Sequence, residues 1–229
     1  MKNQDNIDTI YYKNSLNNSI SLAVLIHARE RMFRDFMSHA APHENTKIVD
    51  IGVSDEENEG SNFLEKLYPW PENITCAGIG NGQDIQTAFP KSRFVHIEPD
   101  KALPFANHQF DIAYSNAVLE HVGGAAQRMR FIQECLRVAQ KVFIFVPNRW
   151  FPVEHHTNIP LLHYYPALFR SLTKQTTLSF WSDPMNMDFI GKNELEKAIA
   201  DAGGQIETCR YTGIALGPLS SNILALVKK

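Results

Sequence analysis

Lys47-Ile48-Val49-Asp50-Ile51-Gly52-Val53-Ser54 is the segment around which this chain is organised. A mostly apolar run that ends in an acid and a glycine is typical of a buried central strand in a parallel sheet. Ligands of open α/β sheets bind just beyond the carboxyl ends of such strands. We therefore expect the first functional residues in the loop between Gly52 and Ser61.

That loop is acidic, with carboxylates at Asp55, Glu56, Glu57 and Glu59. A phosphate-binding loop needs bare backbone N–H groups, glycines and often a lysine, so NAD, FAD and ATP fit poorly here. Two like charges about 4 Å apart repel by roughly 4 kcal/mol near a protein surface. A nucleoside with a cationic centre and no phosphate, such as S-adenosylmethionine, is favoured instead. The alternative is that these carboxylates form only a solvated surface turn.

Length and composition indicate a single α/β domain. The chain has 229 residues, of which 44% are hydrophobic, and a formal net charge of −3, all ordinary for a globular domain. No basic tract points to nucleic-acid binding. No signal peptide or run of 18 apolar residues is present. Cys76, Cys135 and Cys209 lack metal-ligand spacing, so we expect reduced cysteines in a cytoplasmic protein.

Strand and helix patterns alternate from residue 47 onward. Strands are predicted at residues 47–52, 74–79, 93–97, 110–115, 141–147, 205–211 and 223–227. Helices are predicted at residues 19–40, 61–68, 124–139 and 192–202, with about two helical turns within 81–89 and Asn193 as the cap of the last helix. The pattern predicts an α/β, Rossmann-like, seven-stranded and mostly parallel sheet, with the last strand antiparallel and helices on both faces.

The N-terminal residues and one internal segment fall outside this alternation. Residues 1–46 are expected to form a polar lead and a helix that caps the ligand site, ahead of a domain spanning 47–229. Residues 148–190 are rich in aromatic residues, histidine and proline, with a short helix near 166–173. We interpret this segment as a lid or substrate insert, and a small satellite core under a long loop is the alternative.

Several motifs resemble one family. They are Asp50-Ile51-Gly52, Leu103-Pro104-Phe105, Phe110-Asp111 and Ser115-Asn116-Ala117-Val118-Leu119-Glu120-His121-Val122. Together they resemble a class I S-adenosylmethionine-dependent methyltransferase of the type 11, small-molecule branch. Pro147-Asn148-Arg149-Trp150-Phe151-Pro152-Val153-Glu154, with His156-Thr157, resembles a bacterial subgroup of that branch. The resemblance covers about residues 47–200.

The resemblance implies S-adenosyl-L-methionine as cofactor and S-adenosyl-L-homocysteine as product. It implies that the turn after strand one faces the methionine part of the cofactor and that the end of strand two holds the ribose. Glu98 would meet the adenine amino group, and Asn116 would lie beside the methyl group. The implied cofactor-binding residues are Asp50, Ile51, Gly52, Val53, Ser54, Gly80, Asn81, Ile97, Glu98, Asn116 and Ala117.

Two positions depart from the family pattern. Ser54 stands where a second glycine is usual. Gly80 or Asn81 stands where an acid usually ends strand two and binds the ribose hydroxyls. A neutral hydrogen bond from Asn81 contributes about 0.5–1.5 kcal/mol, whereas a charged one contributes roughly 1.5–3 kcal/mol. Asp84 is a candidate substitute. A catalytically degenerate binding or scaffold protein is therefore the alternative to an enzyme.

The candidate catalytic residues are His121, Arg149, Glu154 and His156. Methyl transfer requires an aligned acceptor and the exclusion of water, and histidine is the commonest group that removes a proton from an acceptor. Glu154 can orient the adjacent imidazole and raise its basicity. Arg149 is a candidate for binding an anionic acceptor group. His121, His155 and His156, together with Glu154, could also suggest a zinc site, but no i, i+4 pairing among these three histidines supports it, so we predict no metal site.

Each candidate also has a purely structural interpretation. His121 would be a helix-start histidine bonded to backbone. His155 and His156, beside Glu154, would form a surface cluster without function. Arg149 would be a salt-bridge partner of the acidic loop.

The function predicted from sequence is methyl transfer from S-adenosylmethionine to oxygen or nitrogen of a small molecule. An aromatic, sugar or lipid-linked acceptor would suit the aromatic insert. We expect a bacterial-type enzyme, monomeric or homodimeric, with no nucleic-acid partner and no membrane contact. An NAD-dependent oxidoreductase is disfavoured because the loop lacks a third glycine and is acidic.

Overall fold

The computed structural model describes residues 19–229, and the predicted lead over residues 1–18 lies outside this range. The strands are β1 (Ile48–Ile51), β2 (Ile74–Gly78), β3 (Arg93–His96), β4 (Phe110–Asn116), β5 (Ala139–Pro147), β6 (Gln205–Leu216) and β7 (Leu219–Lys228). They form one sheet in the order β3-β2-β1-β4-β5-β7-β6. Strands β1 to β5 pair in parallel, and β7 runs antiparallel to both β5 and β6. The predicted fold class is confirmed.

Six α-helices accompany the sheet in the described part of the chain. They are α1 (Ser19–Ala40), α2 (Phe63–Leu67), α3 (Gln83–Ala88), α4 (Ala125–Val138), α5 (Pro166–Thr173) and α6 (Lys192–Asp201). Short 3-10 turns occupy Pro71–Asn73, Leu162–Tyr164 and Ser179–Ser182. Helix α1 has the predicted bounds, and α5 begins at Pro166, where proline fits the first helical turn. No helix in residues 19–229 is long and apolar enough to cross a membrane.

The hydrophobic core lies on both faces of the sheet because successive strand residues point to opposite sides. On one face, Val49 and Ile51 of β1 pack in a cluster with residues of α4 and α6. On the other face, Ile48 packs in a cluster with residues of α1, α2 and α3. The ring of Phe36 in α1 meets Tyr114 and Phe143 edge-on, at centroid distances of 5.1 and 5.0 Å. Helix α1 is thereby fixed across the middle of the sheet.

The chain after β5 builds a separate small core. Buried residues Phe169, Trp181, Met187 and Phe189 form it. Residues 148–190 therefore contain the satellite core that the sequence offered as one interpretation. All three cysteines are free, as predicted.

Two local predictions were wrong. Gly191 rather than Asn193 occupies the N-cap of α6, and no side chain caps this helix. Strand β6 continues to Leu216 through a bulge around Gly213, a region predicted as loop. Gly213 has a φ of +76°, and a Cβ there would overlap the Ser221 hydroxyl of β7. The glycine therefore permits a bulge within the hairpin, and the turn is confined to the residues around Gly217.

Candidate active site

A cavity of about 360 Å³ lies beyond the carboxyl ends of β1, β4 and β5. This volume is within the range of about 300–1,000 Å³ typical of small-molecule sites. Helix α1 contributes Val24, Leu25, Ala28, Arg29 and Met32 to its lining. The cavity therefore lies at the sheet edge where the first strand predicts a ligand, with the N-terminal helix beside it.

The turn after β1 forms one wall of the cavity through Asp50, Gly52, Val53 and Ser54. Gly52 has a φ of +96°, and a Cβ there would overlap the side chain of Val118. Ser54 is not among the residues with positive φ, so a serine is tolerated at the position where the methyltransferases that the sequence resembles usually have a second glycine. The side-chain amide of Asn62 holds Ser54 in place, accepting from its N–H at 3.1 Å and donating to its carbonyl at 3.0 Å.

Substituting Gly52 with alanine is expected to destabilise the fold more than the same change at Gly203. Both glycines have positive φ, which costs an L-residue about 1–2 kcal/mol. A Cβ at Gly203 meets nothing within 4 Å, whereas one at Gly52 overlaps Val118. Overpacking adds about 1–3 kcal/mol, so urea denaturation should show that difference between the two variants. Equal losses would contradict the close approach of Val118 to the turn.

Two carboxyl groups are buried behind this turn. Asp50 and Glu65 are 7% and 4% exposed. Burial raises the pKa of Asp50 well above its usual value, and the neighbouring Glu65 raises it further. Burial also raises the pKa of Glu65, whose carboxylate accepts a hydrogen bond from the Cys76 thiol at 3.3 Å. A cationic ligand beside Asp50 would relieve this unfavourable burial of like groups.

Asp50→Asn is expected to reduce the loss of stability that accompanies rising pH. Because the folded-state pKa of Asp50 is raised, its contribution to stability is complete below the unfolded pKa of about 3.9 and is lost as pH rises toward the folded pKa. Urea denaturation at about pH 5 and pH 8 should therefore show the unmodified protein losing stability relative to Asp50→Asn. Asp201→Asn, at an exposed position of α6, is the control. A stability difference between the protein and Asp50→Asn that is the same at both pH values would contradict this expectation.

Five of the predicted cofactor-binding residues do not line the cavity: Ile51, Gly80, Asn81, Ile97 and Glu98. Ile51 is fully buried in the core. Ile97 is partly buried and packs against the same core cluster. Glu98 is exposed and pairs with Lys101 at 2.5 Å. The predicted ribose and adenine contacts thus lie on the adjoining strand ends, outside the cavity.

A carboxylate does reach the end of β2, but it comes from the loop after β1. Asp55 accepts hydrogen bonds from the backbone N–H groups of Gly82 and Asp84 at 2.9 and 3.2 Å. A Cβ on Gly80 would lie 2.7 Å from the Asp55 side chain. The glycine at position 80 is therefore required by the approach of Asp55, which caps α3. At least this carboxylate of the acidic loop is structural.

The structure brings together two histidines that were predicted separately. The Nε2 atoms of His121 and His156 lie 3.1 Å apart. His121 Nδ1 lies 2.7 Å from the carbonyl oxygen of Asn186, and His156 Nδ1 lies 2.7 Å from the Glu154 carboxylate. Both histidines line the cavity. Because carbonyl and carboxylate oxygens only accept, each Nδ1 carries a hydrogen and each Nε2 faces the other ring.

Hydrogen bonds hold Glu154 firmly. Its carboxylate accepts from the backbone N–H of His156 at 3.0 Å and from the N–H and hydroxyl of Thr157 at 2.7 Å each. Burial alone would raise the pKa of Glu154, but the charge of His156 and these hydrogen bonds lower it to about 2. Burial lowers the pKa of His121 to about 3. Glu154 is thus ionised and fixes the orientation of His156.

Sequence reasoning missed three residues of this cluster. Glu120 lines the cavity, is 2% exposed, and neither of its carboxylate oxygens has a hydrogen-bond partner among the described residues. Burial raises the pKa of Glu120 to about 7. The ring of Trp181 packs 4.7 Å from that of His156, and Asn186 supplies its carbonyl. Glu120 is within a quoted motif, whereas Trp181 and Asn186 come from the insert, and no local pattern linked them to the site.

Arg149 does not line this cavity. Its guanidinium pairs with Glu194 of α6 at 3.0 Å and lies 4.8 Å from the ring of Trp150. The structural alternative considered for Arg149, a salt bridge to the acidic loop, is therefore wrong, because its partner is Glu194. The structure does not place Arg149 with His121, Glu154 and His156 at the cavity.

The remaining polar groups of the cavity come from β4, the insert and α1. Asn116 and Ala117 line it at the end of β4. His155 lines it too, with Nε2 3.3 Å from the Ser221 carbonyl and a pKa that burial lowers to about 4. Arg29 is the one Lys or Arg among its described lining residues. The guanidinium of Arg29 donates to the carbonyl of Gly60.

Part of the chain matches a known family. Residues 69–145, from before β2 to within β5, match the family model described as a methyltransferase domain. No curated protein sequence matches the chain.

Solved structures share its fold. A methyltransferase from Methanosarcina mazei is 18% identical and aligns over 84% of this chain and 96% of that chain, with a TM-score of 0.59. One from Mesorhizobium loti is 14% identical and aligns over 83% and 95%, with a TM-score of 0.56. One from Aquifex aeolicus is 11% identical and aligns over 96% and 97%, with a TM-score of 0.57. All three are described as dependent on S-adenosylmethionine.

Proposed function

We propose that this chain, which shares the fold of solved S-adenosylmethionine-dependent methyltransferases and matches a methyltransferase domain over residues 69–145, transfers a methyl group to a small-molecule acceptor. The observation that supports this most is the cavity at the ends of β1, β4 and β5. There the strand-one turn, the end of β4 and a buried histidine cluster meet in a space large enough for a small molecule.

The charges of the cavity suit the methionine part of the cofactor. Asp50 and Glu120 supply buried carboxyl groups, and Arg29 supplies a guanidinium. The first two favour a cationic sulfonium and ammonium, and the third favours a carboxylate. Gly52 and Asn116 would line the same ligand. When bound, S-adenosylmethionine supplies an electrophilic methyl group on a positively charged sulfur.

The histidine cluster would act on the acceptor. The Nε2 atoms of His121 and His156 lie at the cavity, within reach of an acceptor hydroxyl or amine in this space. Such an imidazole nitrogen can take the acceptor's proton. Glu154 holds the His156 ring by its Nδ1–H and thereby fixes where that proton is received. Helix α1 and the insert would exclude water from the reacting groups.

A small acceptor is favoured by the size of the cavity. The cavity lies beside α1, and its volume of about 360 Å³ is near the lower end of the usual range for small-molecule sites. Phe151 and His155 stack with their rings 5.6 Å apart beside the cluster. Such a wall suits an acceptor with a flat apolar face that carries the oxygen or nitrogen to be methylated.

Transfer of labelled methyl groups tests this function. The full chain is incubated with methyl-labelled S-adenosylmethionine and a bacterial extract, and the products are separated by mass. We expect label in the low-mass fraction, with matching formation of S-adenosylhomocysteine. Label confined to proteins or nucleic acids would contradict a small acceptor, and the absence of label from every fraction would contradict the enzyme.

The second candidate function is binding without turnover. It is favoured by the end of β2, where Gly80 and Asn81 offer no acid and lie outside the cavity. Under this alternative S-adenosylhomocysteine binds, but no extract component is methylated. Measuring binding and transfer on one preparation therefore separates the two functions.

A further inference from the structure

The Nε2 atoms of His121 and His156 face each other, so either a proton or a metal ion must lie between them. Both Nδ1 atoms donate, one to the Asn186 carbonyl and the other to Glu154. In neutral imidazoles the two Nε2 atoms then carry lone pairs, and these atoms lie 3.1 Å apart. Two lone pairs at this distance repel each other unless a cation or a proton lies between the rings.

Glu120 adds a third ligand atom to this point. Its carboxylate is 2% exposed and without a hydrogen-bond partner among the described residues. One Glu120 oxygen lies 4.0 Å from His121 Nε2, and the three potential ligand atoms lie within 4.8 Å of one another. A buried carboxylate without hydrogen bonds is costly, and coordination to a metal is one of the few ways to satisfy it.

We propose that His121, His156 and Glu120 bind one Zn²⁺ ion, through the two Nε2 atoms and a carboxylate oxygen. Zn–N bonds of about 2.0–2.1 Å at tetrahedral angles place two nitrogens roughly 3.3 Å apart, close to the observed 3.1 Å. A side-chain rotation that moves the Glu120 carboxylate oxygen by about 1 Å brings it within Zn–O bonding distance. Two histidines and one glutamate leave one tetrahedral position unfilled, the composition of catalytic zinc sites.

The residues around the cluster are arranged as metal sites require. Metal-binding histidines almost always donate their other N–H to a carboxylate or a backbone carbonyl. Glu154 does this for His156 and the Asn186 carbonyl does it for His121. Two carboxylates near a divalent cation and two neutral imidazoles give a neutral buried assembly. The sequence did not predict this site because Glu120 and His121 are adjacent while His156 is 35 positions beyond His121, a separation that matches no metal-ligand spacing motif.

The unfilled position would face the cavity, since all three ligands line it. An oxygen or nitrogen of the acceptor is the group expected there. Because a zinc-bound Nε2 has no free lone pair, the ion would then promote loss of the acceptor's proton by lowering its pKa, in place of proton transfer to the imidazole, a role that rests on the proposed function. Zinc binding itself does not depend on that function and is measured without cofactor or acceptor.

Two variants remove a ligand nitrogen and keep the neighbouring hydrogen bonds, and a third removes the charge of the carboxylate ligand. Asparagine places its amide nitrogen near the Nδ1 position of histidine, so His121→Asn and His156→Asn retain the bonds to Asn186 and Glu154 while losing Nε2. Glu120→Gln removes the charge at constant size. His163→Gln is the matched control, because this buried histidine bonds the Phe151 carbonyl through Nε2 and lies outside the cluster.

The experiment measures Zn²⁺ binding to the chelator-stripped full chain by calorimetry and elemental analysis. We expect one Zn²⁺ per chain in the unmodified protein and in His163→Gln. Binding should weaken in each ligand variant by more than the 10–100-fold typical of losing an outer-shell partner. The absence of stoichiometric zinc in the unmodified protein, or equal affinity in the ligand variants, overturns the proposal.

If a ligand variant fails to fold, a second measurement on the unmodified protein still tests the proposal. In protein labelled with ¹⁵N-histidine, Zn²⁺ should shift two Nε2 resonances and leave the other histidines unchanged. A hydrogen on one of these Nε2 atoms that persists with excess Zn²⁺ would show that a proton joins the rings, and would overturn the proposal.

Discussion

Replacing His156 with asparagine is expected to lower kcat for methyl transfer by about 10²–10⁴-fold, the usual contribution of a group that handles the acceptor's proton. The affinity for S-adenosylhomocysteine should change little, because the variant keeps its hydrogen bond to Glu154 and removes only Nε2. Formation of S-adenosylhomocysteine gives kcat, and calorimetry gives the affinity.

A control separates this effect from a general disturbance of the buried histidines. His163→Gln retains a donor to the Phe151 carbonyl and lies outside the cavity, so kcat should remain close to that of the unmodified protein. If His156→Asn retained full turnover, the histidine cluster would have no part in the chemistry.

Replacing Trp181 with alanine is expected to lower the free energy of unfolding by about 3–5 kcal/mol, as for other buried aromatic residues. Trp181 is 1% exposed and packs 4.9 Å from Phe180 and 4.7 Å from His156. Its indole N–H has no hydrogen-bond partner among the described residues. Trp181→Phe should cost less, since it keeps one aromatic ring and leaves a smaller cavity, and the donor it removes has no partner.

Urea denaturation measures both losses, and a second tryptophan supplies the comparison. Trp150 is 45% exposed, so Trp150→Ala should cost far less than Trp181→Ala. If the two alanine variants lost the same stability, residues 148–190 would not be organised around a buried Trp181.

The strands and most helices could be predicted from sequence because their patterns are local. Continuous apolar runs mark β1 and β5, which are covered on both faces, and helical spacing marks α1. Glycine misled the prediction at Gly213, where a bulge in a paired strand and a loop have the same local signature. The cap at Gly191 left no side-chain signal at all.

The site was predictable only where a single segment supplies it. The turn from Asp50 to Ser54 and the end of β4 at Asn116 lie at the cavity as expected. The contact between His121 and His156 depends on the path of the insert, which no spacing in the sequence reveals. Likewise, the sequence shows a missing acid after β2, and only the folded loop shows Asp55 occupying the space beside Gly80.

Calorimetric titration of S-adenosylhomocysteine into the full chain tests the central claim most directly, that the cavity binds the cofactor by its methionine part. We predict one molecule bound per chain, and at least about tenfold weaker binding of adenosine, which lacks the group that Asp50 and Arg29 would contact. A factor of ten corresponds to about 1.4 kcal/mol. No heat of binding at millimolar S-adenosylhomocysteine, or equal affinity for adenosine, would contradict the claim.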